Sequence, residues 1–460
     1  MARELFGTDG IRGVANRELS CELALAIGRA ATVWVSSIAR NPRHPRVLIG
    51  RDSRRSGAML EAAFSAGVSS VGGEPVSLGI IPTPAVAMMV ELERADLGVV
   101  ISASHNPFHD NGIKLFGPNS RKLSDQQEED IENLLRVDVL AAIDGEQVGW
   151  FSRRTDARVM YAAEIVERLG DLLDRRARDM RILVDCANGA AWPAAGEVFQ
   201  RAGIQADFIG TAADGTNINR GCGSTDLSLL SATVTHGSYD IGIAFDGDAD
   251  RMVAVDEQGH AVDGDAIMGL LALDLQAMGK LDGSRLVATT MSNLGLHRSL
   301  AEHGITVETC DVGDRYVIER MRETGAVLGG EQSGHMIYTG VQSTGDGIAT
   351  ALMLLGALAR RDEPASIASQ RIQRLPQLLR NVAVDNKGGL QSAARVWEAV
   401  ADVEQRLGGD GRVVLRASGT EPLVRVMVEA PTEAACEQLV DELCSVVAHE
   451  LSGEAPQPVL

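Results

Sequence analysis

Aromatic side chains are what this sequence has least of: Phe, Trp and Tyr make up 3% of its 460 residues, so its cores must be filled by aliphatic side chains and alanine. Lysine is almost as scarce, with Lys114, Lys122, Lys280 and Lys387 the whole complement, and arginine carries the remaining positive charge. The formal net charge of -20 excludes a broad basic surface of the kind that holds nucleic acid. Any anionic ligand must therefore meet locally concentrated cations. Six cysteines are scattered without a CxxC spacing, which excludes a zinc ribbon or disulfide framework and suits a reducing compartment. The most apolar run, "GIATALMLLGALA", is too short to span a bilayer, and "MARELFGTDGIRG" has charges where a signal peptide needs its apolar core. A cytoplasmic location is expected. There is no Walker A sequence and no G-x-G-x-x-G between strand and helix, so no nucleotide cofactor is expected.

What is present is repetition. "RVLIGRDSRRSG", "RILVDCANGA" and "RLVATTMSNLG" each read as a buried strand and turn, followed by a short helix and a second strand. Short apolar runs alternating with helices predict an α/β fold with mixed, mainly parallel sheets. Each unit continues into another apolar run that ends in a polar loop: "SASHNP", "DGDAD" and "GEQSGH". Ligands of open α/β sheets bind beyond the carboxyl ends of strands, so the three loops are expected to face one central cleft. After about residue 370 the pattern changes to alternating strands and an amphipathic helix, a smaller α+β domain. The expected domains are 1–152, 153–256, 257–370 and 371–460, with separate cores.

The loops carry distinct chemistry. Asp246, Asp248 and Asp250 alternate in "DGDADR", and clustered carboxylates call for a hard cation such as Mg2+, a solvated acidic turn being the competing reading. An EF-hand is excluded, because Arg251 stands where the sharp turn requires glycine and both flanks are strand-like. "RASGTEPLVRV" combines Arg416, Ser418, Gly419, Thr420 and Arg425, two guanidinium forks with hydroxyls and a flexible backbone that suit a phosphate dianion or, failing that, an exposed hairpin. Arg12, between glycines in "TDGIRG", adds a further cationic contact. Glu331, Ser333 and His335 in "GEQSGH" offer donors and acceptors for sugar hydroxyls.

Ser104 sits in A-S-H-N, without the G-x-S-x-G elbow of a serine hydrolase. Beside a hard metal and a phosphate clamp, its better chemistry is to carry a phosphoryl group. Lys114 would serve as a general base if burial or neighbouring positive charge lowered its pKa. His105 reads equally as a catalytic residue and as one that holds the turn.

These motifs, in this order, resemble the α-D-phosphohexomutase superfamily over nearly the whole chain, and most closely its branch acting on glucosamine phosphates. The resemblance implies four domains around a cleft and interconversion of glucosamine 6-phosphate and glucosamine 1-phosphate, feeding UDP-N-acetylglucosamine and cell-wall synthesis. It implies a phosphoserine at Ser104, one Mg2+ held by that phosphoserine with Asp246, Asp248 and Asp250, and Lys114 and Arg12 near the reacting groups. Glu331, Ser333 and His335 match the superfamily's sugar loop; Arg416, Ser418, Gly419, Thr420 and Arg425 match its phosphate loop. The expected partner is a hexosamine phosphate, with no nucleic acid and no membrane, and a homodimer is left open. A phosphomannomutase/phosphoglucomutase or a non-catalytic sugar-phosphate sensor are the alternatives. Many superfamily members have glycine where this chain has Ala249.

Overall fold

The computed structural model describes residues 5–7, 9–39, 44–136, 143–418 and 422–452. In the first unit, strand Arg46–Arg51 lies between parallel strands Glu74–Ile80 and Leu97–Ile101, and Asp110–Phe116 returns antiparallel beside the latter. The second unit repeats this order: Ile182–Asp185 between Ala206–Ile209 and Ile241–Phe245, with Met252–Asp256 returning antiparallel. The third does so with Arg285–Thr289, Thr306–Cys310, Leu328–Gly330 and the return strand Met336–Tyr338. Strands covered on both faces need continuous apolar runs rather than alternation, which is why "ILVD" and "IGIAF" are buried throughout. The polar loop of each unit is therefore the same topological element, the turn from the third parallel strand to its antiparallel neighbour.

The C-terminal domain is a three-stranded antiparallel sheet, with Leu423–Glu429 between Gln377–Ala383 and Arg412–Ala417. Its core, built on Val396, Val403, Val424, Val440 and Val447, is its own. The first domain also keeps a core of its own, from Phe6 to Ile131, but the three α/β domains depart from fully separate cores, because one continuous apolar cluster runs from Val100 through Phe245 to Leu352. The cause is helix Gly347–Arg361, which carries "GIATALMLLGALA" and is buried on every side from Gly347 to Ala359. A helix apolar all round must be covered all round, and helices Ala157–Leu169, Ala191–Ala202 and Gly264–Ala277 with strands Ile241–Phe245 and Met252–Asp256 supply much of the cover. No helix among the described residues is long and apolar enough to cross a membrane.

This central helix also supports the acidic loop. Asp346 caps it by accepting a hydrogen bond from the Ala349 N–H at 2.9 Å, and the Gly347 N–H donates to the Ala249 carbonyl at 3.0 Å. Tyr161 and Gln342 also donate to Asp346, whose carboxyl burial pushes up to about 6.

Candidate active site

Ser104 lies in the loop just after the apolar strand Leu97–Ile101, in a backbone conformation that L-residues avoid, with φ of +51°. What holds it there is Arg54, whose side chain is fully buried. Its Nε donates to Asp52 at 2.8 Å, one terminal nitrogen donates to the carbonyls of Ser104 and Asn106 at 2.8 Å each, and the other to those of Pro107 and Asp110. All five N–H groups of the guanidinium are used, four of them on carbonyls of one loop. Asn219 of the second domain adds a bond from Nδ2 to the Ser104 carbonyl at 2.9 Å. Strain of this kind persists only where the surroundings over-determine it.

The side chain of Ser104 then meets the acidic loop. Its hydroxyl donates to Asp246 Oδ2 at 2.5 Å, and His105 Nδ1 lies 3.2 Å from Ser104 Oγ. Loop meets loop this closely because residue 247 is glycine: a Cβ there would stand 2.5 Å from the Ser104 carbonyl oxygen. His105 is pushed down to about 4 by burial and by the charges of Arg251 and Arg12, so it is neutral at physiological pH.

Asp246, Asp248 and Asp250 are buried, with ligand oxygens within 4.8 Å of one another. Burial, then the charges of Asp250 and Asp248, hold Asp246 well above the usual carboxylate range. Asp248 goes the other way: burial opposes its ionisation, but Lys114 and the Thr83 hydroxyl outweigh burial. Thr83 Oγ1 donates to Asp248 Oδ2 at 2.7 Å, and Lys114 Nζ lies 2.9 Å from that oxygen and 3.5 Å from Asp250 Oδ2. This leaves Asp248 Oδ1 and Asp250 Oδ1 buried without a hydrogen-bond donor. Three converging carboxylates with unpartnered oxygens form a donor set that fits a hard divalent cation. The triad is a site able to hold a metal ion.

A general-base role for Lys114 is conditional on a lowered pKa, and the carboxylates around it act the other way. Burial does act to lower it, but Asp248, Asp9 and Asp250 more than offset that and hold it well above its ordinary value. Its ion-pair partners are carboxylates, with Arg12 acting in the opposite sense, so this arrangement favours the charged form of Lys114. Asp9 Oδ2 stands 3.0 Å from Lys114 Nζ and 2.5 Å from an Arg12 terminal nitrogen, while Lys122 bridges Asp9 to Asp314 of the third domain. Five carboxylates, Asp9, Asp246, Asp248, Asp250 and Asp314, thus share one cleft with Arg12, Lys114, Lys122 and Arg251.

The third loop joins through the backbone. Arg251 and His335 form an isolated bridge, and the Met252 N–H donates to the Gly334 carbonyl at 3.0 Å. Gly334 has φ of +91°, and a Cβ there would stand 2.3 Å from the Met252 oxygen. Glu331 accepts from the Gly313 N–H at 2.9 Å and from Ser333 Oγ at 3.3 Å, with Ser333 exposed. His335 is instead buried, 3.7 Å from Asp314 through Nε2.

The phosphate-clamp residues lie apart. Arg416 and Arg425 face each other across the C-terminal hairpin, both exposed, and no contact among the described residues carries Arg416 to Ser104 or to the aspartates. Ser418 is buried, its N–H donating to the Leu423 carbonyl and its carbonyl accepting from Lys387 Nζ at 2.8 Å. Gly419 and Thr420 lie outside the described residues. Arg54, Asp52, Thr83, Asp9, Lys122 and Asp314 were not among the residues singled out from the sequence. Asp9 stands in a quoted motif and Lys122 is one of four lysines, but nothing local marks Thr83 or Asp314.

The sugar loop is tied to the C-terminal domain by Gln332, whose Nε2 donates to Asp265 at 3.1 Å and to Gln377 at 3.3 Å. Asp265 also accepts from the Asn293 N–H at 2.7 Å, and burial pushes its carboxyl up to about 7. A carboxylate of about 3.9 when unfolded thus contributes stability below about pH 4 that is lost as pH rises through about 7. Asp265→Asn should raise the melting temperature at pH 8 and lose that advantage at pH 4. Melting curves with the same offset at both pH values would refute this.

Ala249 has φ of +57°, so it sits in the left-handed region that glycine adopts freely. Ala249→Gly should stabilise the fold by roughly 0.5–1 kcal/mol, relief of about 1–2 kcal/mol of backbone strain being partly offset by unfolded-state entropy. Urea denaturation decides it, and any net destabilisation contradicts the strain argument.

Three α/β domains of one topology, a serine held against an acidic metal-type loop and a smaller C-terminal domain define a sugar-phosphate phosphomutase, an isomerase that moves a phosphoryl group. Models of the phosphoglucomutase/phosphomannomutase family match the chain throughout: alpha/beta/alpha domain I at residues 3–138, domain II at 160–259, domain III at 263–375 and the C-terminal domain at 379–446. The phosphoglucosamine mutase of Novosphingobium aromaticivorans is 49% identical over 448 residues, covering 97% of this chain and 99% of that protein. That of Symbiobacterium thermophilum is 47% identical over 452 residues, with 97% and 99% covered. Among solved structures, a phosphoglucomutase/phosphomannomutase family protein from Burkholderia thailandensis shares the fold at a TM-score of 0.80 and 24% identity, with 98% of each chain covered. An Aspergillus fumigatus N-acetylphosphoglucosamine mutase, solved with GlcNAc-6P and magnesium, superposes at 0.68 with 16% identity over 98% of this chain and 96% of that one. The chain belongs to the phosphoglucosamine mutases of the phosphoglucomutase/phosphomannomutase family.

Proposed function

We propose that the protein interconverts glucosamine 6-phosphate and glucosamine 1-phosphate, with Ser104 as the phosphoryl carrier. The observation that carries this reading is the Ser104 hydroxyl 2.5 Å from Asp246, on a strained turn clamped by Arg54. In its phosphorylated form Ser104 gives the phosphoryl group to the free hydroxyl of the monophosphate. The P–O bond to Oγ breaks, a P–O bond to the sugar forms, and glucosamine 1,6-bisphosphate results. After the bisphosphate turns round in the cleft, Ser104 takes back the other phosphoryl group.

Loose phosphoryl transfer asks little of a base and much of positioning and charge. Lys114 and Arg12 fit the charge role: both are cations on adjacent strands, joined through Asp9. Mg2+, held by Asp246, Asp248, Asp250 and the phosphate on Ser104, would supply Lewis-acid stabilisation of the transferring oxygens. His105, neutral beside Oγ, orients the serine. Glu331 and Ser333 present polar groups to the sugar, and His335 shapes the loop from beneath. Arg416, Ser418, Gly419, Thr420 and Arg425 would hold the non-reacting phosphate once the C-terminal domain swings to the cleft, which also keeps water from the phosphoserine. The product suits UDP-N-acetylglucosamine and cell-wall synthesis, and six unpaired cysteines fit a cytoplasmic setting.

Turnover on a panel of glucosamine 6-phosphate, glucose 1-phosphate and mannose 1-phosphate tests the sugar assignment. Glucosamine phosphate should have the highest kcat/KM. A preference for either of the other two would move the chain's substrate to the phosphomannomutase/phosphoglucomutase side.

A further inference from the structure

Behind the catalytic loops, the segment around residues 119–127 of the first domain faces helix Asp314–Thr324 of the third across a cavity of about 290 Å3. Four cations line it. Lys122 is committed to Asp9 and Asp314, and Arg315 to Asp125 and Glu128. Arg121 and Arg322 are not: among the described residues neither guanidinium makes an ion pair or a hydrogen bond. Glu319 lines the same cavity and pairs with neither. The chain carries 63 acidic and 43 basic residues, and these two guanidiniums line one cavity without pairing to a carboxylate among the described residues. Both residues lie on the walls of the same cavity, and partial burial and the charge of Arg322 both lower the pKa of Arg121.

We propose that Arg121 and Arg322 form a second anion site, at the junction of the first and third domains, for the phosphate group of a small phosphorylated molecule or for inorganic phosphate. Two guanidinium forks on the walls of one cavity suit a tetrahedral dianion better than a planar carboxylate, because several oxygens are reached at once. The hydroxyl of Thr344 and the amide of Asn119 on the same walls add neutral hydrogen-bonding groups. The cavity is at the small end of ligand pockets, roughly 300–1,000 Å3, which limits the occupant to a phosphate or a compact phosphate monoester. Its position gives occupancy a consequence. Lys122, next to Arg121, crosses the same junction to Asp314, so an anion drawing Arg121 and Arg322 together tightens the two domains beside the cleft.

Equilibrium dialysis of the full chain against radiolabelled inorganic phosphate tests the site. Wild type should hold one more phosphate per chain than Arg121→Gln/Arg322→Gln, and the difference should persist in an Arg416→Ala background, where the C-terminal phosphate loop is weakened. Equal stoichiometry overturns the proposal. So does a loss of mutase turnover beyond about tenfold in the double variant, since the arginines would then belong to the catalytic cleft. Glucosamine 6-phosphate added to the dialysis identifies the source: displacement of the extra phosphate assigns the site to a phosphorylated sugar, and no displacement assigns it to free phosphate. Arg121→Glu gives an independent reading. Pairing with Arg322 should raise the melting temperature without phosphate and abolish the further rise that phosphate causes in wild type; a lower melting temperature would show that the two arginines do not confront each other.

Discussion

Ser104→Ala is expected to lower turnover on glucosamine phosphates by about 10⁴-fold or more while the protein remains folded. The hydroxyl is the acceptor and donor of the phosphoryl group, and no other hydroxyl is bonded to the acidic triad from the same loop. The fold should survive because the bonds that fix residue 104 go to its backbone: the carbonyl accepts from Arg54 and Asn219, and the N–H donates to Ser102 Oγ at 2.9 Å. Alanine inherits all of these, along with the same left-handed strain. Intact mass reads the same substitution chemically. Wild type should show a fraction heavier by one phosphoryl group, and Ser104→Ala should lack it. Retained turnover, or a retained phosphoryl group, would remove Ser104 from the carrier role.

Arg54→Ala should be the most destabilising substitution at the site, by roughly 3–5 kcal/mol, because it strands the fully buried carboxylate of Asp52 without its counter-charge. The cost is compounded by four loop carbonyls that each lose a hydrogen bond, although Asn219 still donates to those of Ser104 and Asn106. Asp52 already feels burial strongly enough to raise its pKa, with Arg54 the largest influence holding it down. Without the clamp the serine loop can relax from its left-handed turn, and a displacement of about 1 Å costs about 10²-fold in rate. Arg54→Lys separates the two effects. It keeps the charge beside Asp52 but offers three donors in place of a planar fork of five, so it should recover stability more than activity. Urea midpoints and kcat on the two variants check this; equal recovery of both would mean that Arg54 acts through charge alone.

Much of the architecture was legible because it is written in local pattern. Buried parallel strands demand unbroken apolar runs, so "RVLIGR", "ILVD" and "RLVAT" announced themselves, and the loops after the third strand of each unit stood out as polar interruptions of that pattern. The acidic triad was legible for a similar reason: three carboxylates at alternate positions beside buried strands have few explanations other than a cation. Arg54 was passed over because "RDSRRSG" reads as an ordinary polar turn. Nothing in it says that the second of three nearby arginines is buried and spends every donor on a loop some fifty residues away.

Lys114 shows the limit most sharply. Its residue type and place beside the serine loop marked it as functional, yet its protonation depends on Asp248, which lies 134 residues further along the chain, and on Asp9 from the opposite direction. A pKa is a property of the neighbours in space, and those neighbours arrive only when the domains close on one another. The same holds for Thr83 on Asp248 across 165 residues and for the Lys122 bridge to Asp314. Residue types, repeat order and loop chemistry are local quantities that the chain states outright. Charge balance, strain and the meeting of Ser104 with Asp246 are long-range quantities, set by the packing of the three α/β domains on one another.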